Sequence, residues 1–357
     1  MVLGAWFLTV ARWTFKRWIL WMTILAFLLA GVMGISLSLG AAAIPLSKSW
    51  SILLHQIPGV SSPGPGTASD SSIILQLRLP RILSGALVGA ALAIAGAVLQ
   101  ALLRNPLADP FVLGISSGAA AGAVLAILFG LGSTVLGAYA VPGAAFAGAL
   151  FTLLVVYFIA RVEGRVPAYT MLLAGVIVSS FFSAIIMFLI SATSNERIYN
   201  VTFWLMGNLE YLTARSLGVV SLYFFVGAGV LFALARDLNL LSLGEETAWE
   251  LGVEVERVKK TAFVFASLIT GAVVSVSGLI GFVGLIVPHV VRMIWGPDHR
   301  FLLPASALVG AMLLVTADTV GRTVMAPLEI PVGVVTAMGG APFFVYLLRK
   351  KGHGVYH

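Results

Sequence analysis

The densest group of charged side chains lies in residues 236–260, RDLNLLSLGEETAWELGVEVERVKK. This stretch holds ten of the chain's 35 charged residues, while the sequence on either side is strongly apolar. Ser242 stands three residues before Glu245, the spacing of a capping box at the start of a helix, and Gly252 is suited to end that helix. The chemistry that these side chains offer is ion pairing with a soluble partner.

Two short helices facing water are expected within residues 236–260. Ala248, Trp249 and Leu251 give the first helix an apolar edge, and Val255 and Val258 lie on one side of the second. The pattern fits a docking site for a soluble partner, and it fits equally a solvated connector between two apolar segments. The residues alone leave both interpretations open.

Arginines form a second group of candidate binding residues. Arg78 and Arg81, in the sequence RLPR, stand at the start of an apolar run. Two guanidinium groups at a helix mouth suit carboxylates on an external protein, and they suit lipid headgroups equally well. Asp318 is the acid that stands out within an apolar run, and Arg322, four residues later, is placed to neutralise it.

The chain lacks several motifs of catalytic and nucleotide-binding sites. It contains no GxxxxGK[ST] phosphate loop, no HExxH and no cysteine. We therefore expect no catalytic residue, no metal site and no cofactor in this chain, and no ATP hydrolysis of its own. A carrier driven by protons or sodium would usually have more acids near the middle of the membrane, so that class is disfavoured.

The elements that must position these residues are membrane-spanning helices. The chain is 60% hydrophobic and 10% charged, with a mean hydropathy of +1.05, which excludes a water-soluble protein. We expect an all-α, polytopic integral membrane protein with one transmembrane domain over residues 1–357. The ten predicted spans are 18–43, 80–103, 112–132, 141–161, 168–191, 216–235, 261–277, 279–296, 302–320 and 331–349.

The distribution of Lys and Arg predicts the orientation. With the N-terminus in the cytoplasm, fifteen of the 21 basic residues fall inside. This is the bias that the positive-inside rule describes, and it places both termini and residues 236–260 in the cytoplasm. The net charge of +7 follows this topology and does not indicate nucleic-acid binding. The six basic residues outside are Lys48, Arg78, Arg81, Arg197, Arg215 and Arg322.

The connections between the spans are predicted to differ in character. Residues 45–77, rich in Pro, Gly and Ser, are expected to be a flexible external loop. Residues 104–110 form a tight inner turn, and residues 199–207 form an amphipathic piece too short to span. Pro288 is expected to interrupt the eighth span. Glycines spaced at helical intervals in the second and third spans indicate close helix packing.

Several long stretches together resemble one family, the membrane permease subunits of ATP-binding-cassette (ABC) importers for iron–siderophore complexes, haem and cobalamin. The resemblance covers about residues 75–349. The stretches that carry it are LRLPRILSGALVGAALAIAGAVLQALLRNPLADPFVLGISSGAAAG (77–122), LLAGVIVSS (172–180), FWLMGNLE (203–210), LSLGEETAWELGV (241–253), GLIGFVGLIVPHVVRMIWGPDHRFLLPASALVGA (278–311) and ADTVGRTVMAPLEIPVGVVTAMGGAPFF (317–344).

The resemblance implies a homodimer with ten helices per subunit in a bacterial cytoplasmic (inner) membrane. It also implies two cytoplasmic ATPase subunits that bind ATP and Mg, and an external substrate-binding protein. An iron chelate, either a siderophore complex or haem, is the first expectation for the substrate, and cobalamin is the second.

The resemblance also implies roles for twelve residues. Gly244, Glu245, Ala248 and Gly252 correspond to the coupling helices that sit in the ATPase. Arg78, Arg81 and Arg322 correspond to positions that meet acids of the binding protein, and the charge-based topology places all three outside. The positions that correspond to the cytoplasmic gate are Asn105, Leu107, Pro167, Ala168 and Tyr169.

Overall fold

The computed structural model describes residues 14–352 except 41, 43, 57–66, 134–136, 165, 194 and 210–213. All the longer regular elements in these described residues are helices. Ten of the helices coincide with the ten predicted spans, so the all-α polytopic fold is confirmed. They are α1 (Phe15–Ser38), α4 (Leu79–Leu102), α5 (Ile115–Leu128), α6 (Ala140–Ala160), α7 (Ala168–Ser191), α9 (Ala214–Ala233), α12 (Val255–Ser277), α13 (Val283–Trp295), α14 (His299–Thr323) and α15 (Val332–Gly352).

Five short α-helices lie between the long ones in the described residues. They are α2 (Leu46–His55), α3 (Ala68–Ser72), α8 (Asn195–Leu205), α10 (Ala235–Leu241) and α11 (Glu245–Glu250). Seven of the long helical segments in the described part of the chain are long and apolar enough to cross a bilayer, and three shorter apolar helices accompany them. Helix α8 is the amphipathic piece that the sequence predicted as too short to span.

Helix α4 is the centre of the molecule. Helix α4 belongs to the continuous helical segment Ala68–Leu102, and in an 18-residue apolar stretch of that segment 89% is buried. In the corresponding stretch of α1 the buried share is 17%. Helix α4 packs on α12, α13 and α14. A Cβ at Gly96 would lie 1.9 Å from the Gly284 carbonyl oxygen, and one at Gly89 would lie 2.2 Å from that of Gly310. The predicted packing role of these glycines is confirmed, because only glycine permits such backbone approach.

Helix α13 runs without a break through Pro288, so the predicted interruption there is wrong. Proline lacks an N–H, which leaves the carbonyl four residues earlier, at Gly284, without its helical donor. The side chain of Gln100 on α4 supplies a donor instead, with its Nε2 3.3 Å from the Gly284 oxygen and 3.2 Å from the Leu285 oxygen. The predicted turn between the seventh and eighth spans is confirmed by Gly278, which ends α12 with a φ of 67°.

The connection over residues 45–77 is more regular than the predicted flexible loop. Its described parts contain α2, α3 and a π-helical segment Ile73–Arg78 that leads into α4. Helix α3 begins with a capping box in which Thr67 and Asp70 cap each other's backbone. Short polar side chains at a helix start favour this local arrangement. Most of the Pro- and Gly-rich segment, residues 57–66, lies outside the described residues.

Candidate functional site

The polar stretch 236–260 forms one short pair of helices, α10 and α11, followed directly by α12. The predicted second short helix is not separate, because Val255 and Val258 lie in the first turns of α12. The predicted capping box is also wrong. Gly244 is the N-cap residue of α11, and the Ser242 hydroxyl donates back to the Leu238 carbonyl at 2.8 Å.

Helix α11 presents one face to the protein and the other to the outside. Ala248 is completely buried in the main core, whereas Trp249 is 73% exposed and Leu251 is 59% exposed. Gly244 and Gly252, with φ of 133° and 84°, frame the helix in conformations that favour glycine. The predicted helix stop at Gly252 is confirmed, and the exposed apolar residues leave a surface that a partner can cover.

The carboxylate of Glu245 pairs with a lysine that the sequence analysis did not single out. Nζ of Lys259 lies 3.1 Å from both carboxylate oxygens of Glu245 and 3.2 Å from Oε1 of Glu256. The other oxygen of Glu256 accepts the backbone N–H of Val166 at 3.2 Å. We call Glu245, Lys259, Glu256 and the Val166 N–H the lysine network. The i, i+3 spacing of Glu256 and Lys259 was the one signal of it in the sequence.

Three of the five predicted gate residues lie at the start of α7, beside the lysine network. Pro167 is the N-cap residue of α7, Ala168 is its first residue, and Tyr169 is 75% exposed. These three residues line a groove of about 1250 Å³ together with Gly244, Glu245, Trp249 and Lys259. The structure therefore brings the predicted gate segment and the predicted coupling helix together as lining of one groove.

The inner turn between α4 and α5 contributes Arg104 to the groove. Asn105 and Leu107, the other two predicted gate positions, form an Asx-type turn in which the Asn105 side chain accepts the Leu107 N–H at 2.9 Å. Nearby, Asp109 accepts the N–H of Phe111 at 2.9 Å. Burial raises the pKa of the Asp109 carboxyl to about 6, although the N–H of Phe111 acts in the opposite direction.

A second charged site, which we call the arginine cluster, lies where α4 begins and α14 ends. Nε of Arg81 is 3.0 Å from Oδ1 of Asp318, and Nε of Arg322 is 3.0 Å from Oδ2 of the same carboxylate. The predicted neutralisation of Asp318 by Arg322 is confirmed. Arg81 also reaches Glu329 at 2.7 Å, and the side chain of Glu329 is 45% exposed.

Arg322 and the neighbouring Arg78, which we include in the arginine cluster, tie the end of α1 to α14 and α4. Arg78 donates to the carbonyl of Leu37 at 2.6 Å and to that of Ala42. Arg322 donates to the hydroxyl of Ser36 at 2.9 Å. Both arginines are almost completely buried. Docking of another protein on these arginines stays a prediction, and the structure gives each of them partners within the chain.

The two charged sites lie at opposite ends of the helices. Helix α4 has 24 residues, so it is about 36 Å long at 1.5 Å per residue, and it runs from Arg78 to the inner turn that lines the groove. No cluster of three His, Asp or Glu side chains suited to hold a metal ion occurs among the described residues.

Comparisons with known proteins agree with this architecture. The model of the FecCD transport family matches residues 26–350. The cobalamin import permease of Halobacterium salinarum is 43% identical over 324 residues, which are 87% of this chain and 86% of that protein. The hemin transport permease of Yersinia pestis is 41% identical, over 78% of this chain and 84% of that protein.

A solved structure described as an inward-facing metal-chelate type ABC transporter matches with a TM-score of 0.78 and 34% identity. The match covers 92% of this chain and 98% of that one. The ten apolar helices and these matches define a multi-span membrane permease of the ABC importer class. The chain belongs to the FecCD transport family, whose members are transmembrane permease subunits and not themselves ATPases.

Proposed function

We propose that two copies of this chain form a translocation path for an iron chelate, either a siderophore complex or haem. An external binding protein delivers the chelate, and two separate cytoplasmic ATPase subunits, which bind ATP and Mg, drive its passage. The observation that carries the proposal is that the α11 helix and the start of α7 line the same groove. A movement imposed on α11 is applied next to the residues proposed as the gate, Pro167, Ala168 and Tyr169, with Asn105 and Leu107 on the adjoining turn.

Helix α11 is the proposed seat of the ATPase. Trp249 and Leu251 supply exposed apolar area, and the exposed residues Glu246, Glu250 and Arg257 lie near them in the chain, a mixture typical of the centre and rim of an interface. Ala248 fixes the helix to the core, while Gly244 and Gly252 set its ends. Glu245 lies at the start of α11, where its carboxylate joins the lysine network.

The binding protein is proposed to dock at the end that holds the arginine cluster. Arg78, Arg81 and Arg322 all have partners within the chain, and the partner that another protein can most easily displace is Glu329. It pairs with Arg81 and is half-exposed. An acid of the binding protein can therefore compete with Glu329 for Arg81 without uncovering a buried charge. The other two arginines hold the α1 end beneath this surface.

The proposed orientation places the α11 end and both termini in the cytoplasm, in a bacterial inner membrane. It is supported by the fifteen basic residues that this orientation puts inside and by the location of the arginine cluster at the opposite end. The lipid bilayer then surrounds the apolar outer helices, of which α1 is the least buried.

An iron chelate is the first proposed substrate because the similar solved structure is of the metal-chelate type and one relative is named for hemin. Cobalamin is the second candidate because the Halobacterium relative, at 43% identity, is named for cobalamin import. Competition among ferric siderophore, haem and cobalamin for the purified binding protein would distinguish them.

The experiment that tests the proposal is copurification followed by uptake in vesicles. The tagged chain should retain an ATPase subunit, and uptake of the substrate should stop when that ATPase is inactivated. Uptake that persists on a proton gradient alone would reject the proposal. Glu245→Ala with Gly252→Ala should separate ATP hydrolysis from uptake, and charge reversal at Arg81 should weaken docking of the binding protein with ATPase assembly intact.

A further inference from the structure

The lysine network joins three segments that are separate in the sequence. Glu245 belongs to α11, Lys259 and Glu256 belong to the first turns of α12, and Val166 lies just before α7. The contacts run in one line from the α11 carboxylate through the Lys259 ammonium to Glu256 and then to the backbone of Val166. The line therefore begins on the proposed ATPase seat and ends beside the proposed gate.

Lys259 is suited to the centre of this line by its geometry and its burial. A lysine ammonium has three N–H donors, and three carboxylate oxygens lie within 3.2 Å of Nζ. The lysine side chain is 9% exposed, while the two glutamates are 33% and 41% exposed. Loss of the ammonium would leave two carboxylates facing each other, so they would separate toward water.

The side chains between α12 and the start of α7 leave a little space beside the lysine network. A small apolar crevice lies beside Lys259, and its walls include Val166, Ala168, Met171 and Phe263. The larger groove is lined by α11 residues and by Pro167 and Tyr169. Lys259 lines both openings, so the polar contacts of the lysine network join the three segments at a place where side-chain packing leaves space.

We propose that Lys259 is a positioning residue that transmits displacement of α11 to the start of α7. The proposal rests on the function proposed above, in which an ATPase moves α11. In this role Lys259 touches neither nucleotide nor substrate. It keeps Glu245 and Glu256 at a fixed separation, so that the Val166 backbone follows when α11 moves.

The first test uses the permease alone in lipid nanodiscs and does not depend on its function. Lys259→Gln removes the charge and Lys259→Arg retains it. Lys48→Gln is the matched control, because it removes a lysine from another lysine–carboxylate pair, with Asp70, outside the lysine network. Hydrogen exchange should show protection of the Val166 amide falling about tenfold in Lys259→Gln. Protection should stay near the wild-type value in Lys259→Arg and Lys48→Gln.

The second test uses the complex with its copurified ATPase. The chain has no cysteine, so Val162→Cys, at an exposed position before α7, gives the permease a single labelling site, and label is counted on the permease after it is separated from the ATPase. The rate of maleimide labelling is measured with ATP and with ADP. In the otherwise unchanged permease the two rates should differ. In the Lys259→Gln background their ratio should fall to about one while ATP hydrolysis and ATPase retention continue.

The outcomes separate the two proposals. If no ATPase copurifies, or if nucleotide leaves the labelling rate unchanged without the Lys259 substitution, the proposed function fails. If nucleotide changes labelling equally with and without Lys259→Gln, the role of Lys259 is overturned while the proposed function stands. Unchanged Val166 protection in Lys259→Gln would likewise overturn the transmitting contact.

Discussion

The arginine cluster and the lysine network use the same kind of ion pair in opposite surroundings. In the arginine cluster, the side chains of Asp318 and Arg322 are 3% and 5% exposed. The cluster joins helices that already pack closely, since α14 lies against both α4 and α1. In the lysine network, the carboxylates are a third or more exposed, and the segments that they join are separated by a groove.

This difference indicates different mechanical roles. A buried ion pair holds its partners because either charge left alone would be desolvated without compensation. A pair with exposed carboxylates contributes little to stability, because water replaces the lost partner. The arginine cluster is therefore expected to act as a rigid joint, and the lysine network as a link whose loss alters movement more than stability.

The largest expected effect comes from removing the shared carboxylate of the arginine cluster. Asp318→Asn leaves Arg81 and Arg322 without their common counter-charge, at a cost of about 3–5 kcal/mol of unfolding free energy. Denaturant unfolding of the purified permease measures it. Glu329→Gln is the control, and it should cost no more than about 1 kcal/mol because Glu329 is half-exposed. Equal losses in the two variants would contradict the rigid joint.

Removing the charge of Asp109, a buried carboxylate at the opposite end of the helices, should raise the unfolding free energy, whereas Asp318→Asn lowers it. The folded-state pKa of Asp109 is raised to about 6, so the folded protein loses stability as the pH rises from about 4 to about 6. Asp109→Asn keeps an acceptor for the Phe111 N–H and removes the charge. It should stabilise the permease by about 3 kcal/mol at pH 8, and the difference should vanish below about pH 4. A pH-independent difference would show that the charge is not its source.

Breaking the lysine network should lower the unfolding free energy only slightly. Lys259→Gln is expected to lower the unfolding free energy by about 1 kcal/mol, because Glu245 and Glu256 can turn to water. The same denaturant measurement used for Asp318→Asn gives a direct comparison. A loss as large as that of Asp318→Asn would mean that the network is a structural joint and would remove the contrast between the two ends.

The smallest effect on stability is expected at the exposed face of α11. Trp249 is 73% exposed, so Trp249→Ala should change the unfolding free energy by less than about 0.5 kcal/mol. Retention of the ATPase in copurification should nevertheless fall at least about tenfold, as for an aromatic residue at an interface centre. Phe27→Ala, at a 74% exposed residue of α1, is the control and should leave retention unchanged.

The sequence determined the helical spans because each depends on a run of apolar residues, and seven of the runs in the described residues are long enough to cross a bilayer. It also located the polar projection, since 236–260 is the one dense group of charges in an apolar chain. The Asp318–Arg322 pair was predictable for a similar reason, because its spacing brings the two side chains together on any helix. The helix stop at Gly252 was also predictable, because it depends on the backbone conformation of that glycine alone.

Only the tertiary structure decided the partners that charged side chains take on other helices. Glu245 was expected to cap its own helix, but Lys259, 14 residues later, holds its carboxylate. Arg78 binds carbonyls 41 and 36 residues away, and Arg81 meets an acid 237 residues away. The spacing of residues along one helix determines contacts between neighbouring turns of that helix. The contacts of Glu245, Arg78 and Arg81 form only after separate elements have packed together, so the pattern of one helix does not encode them.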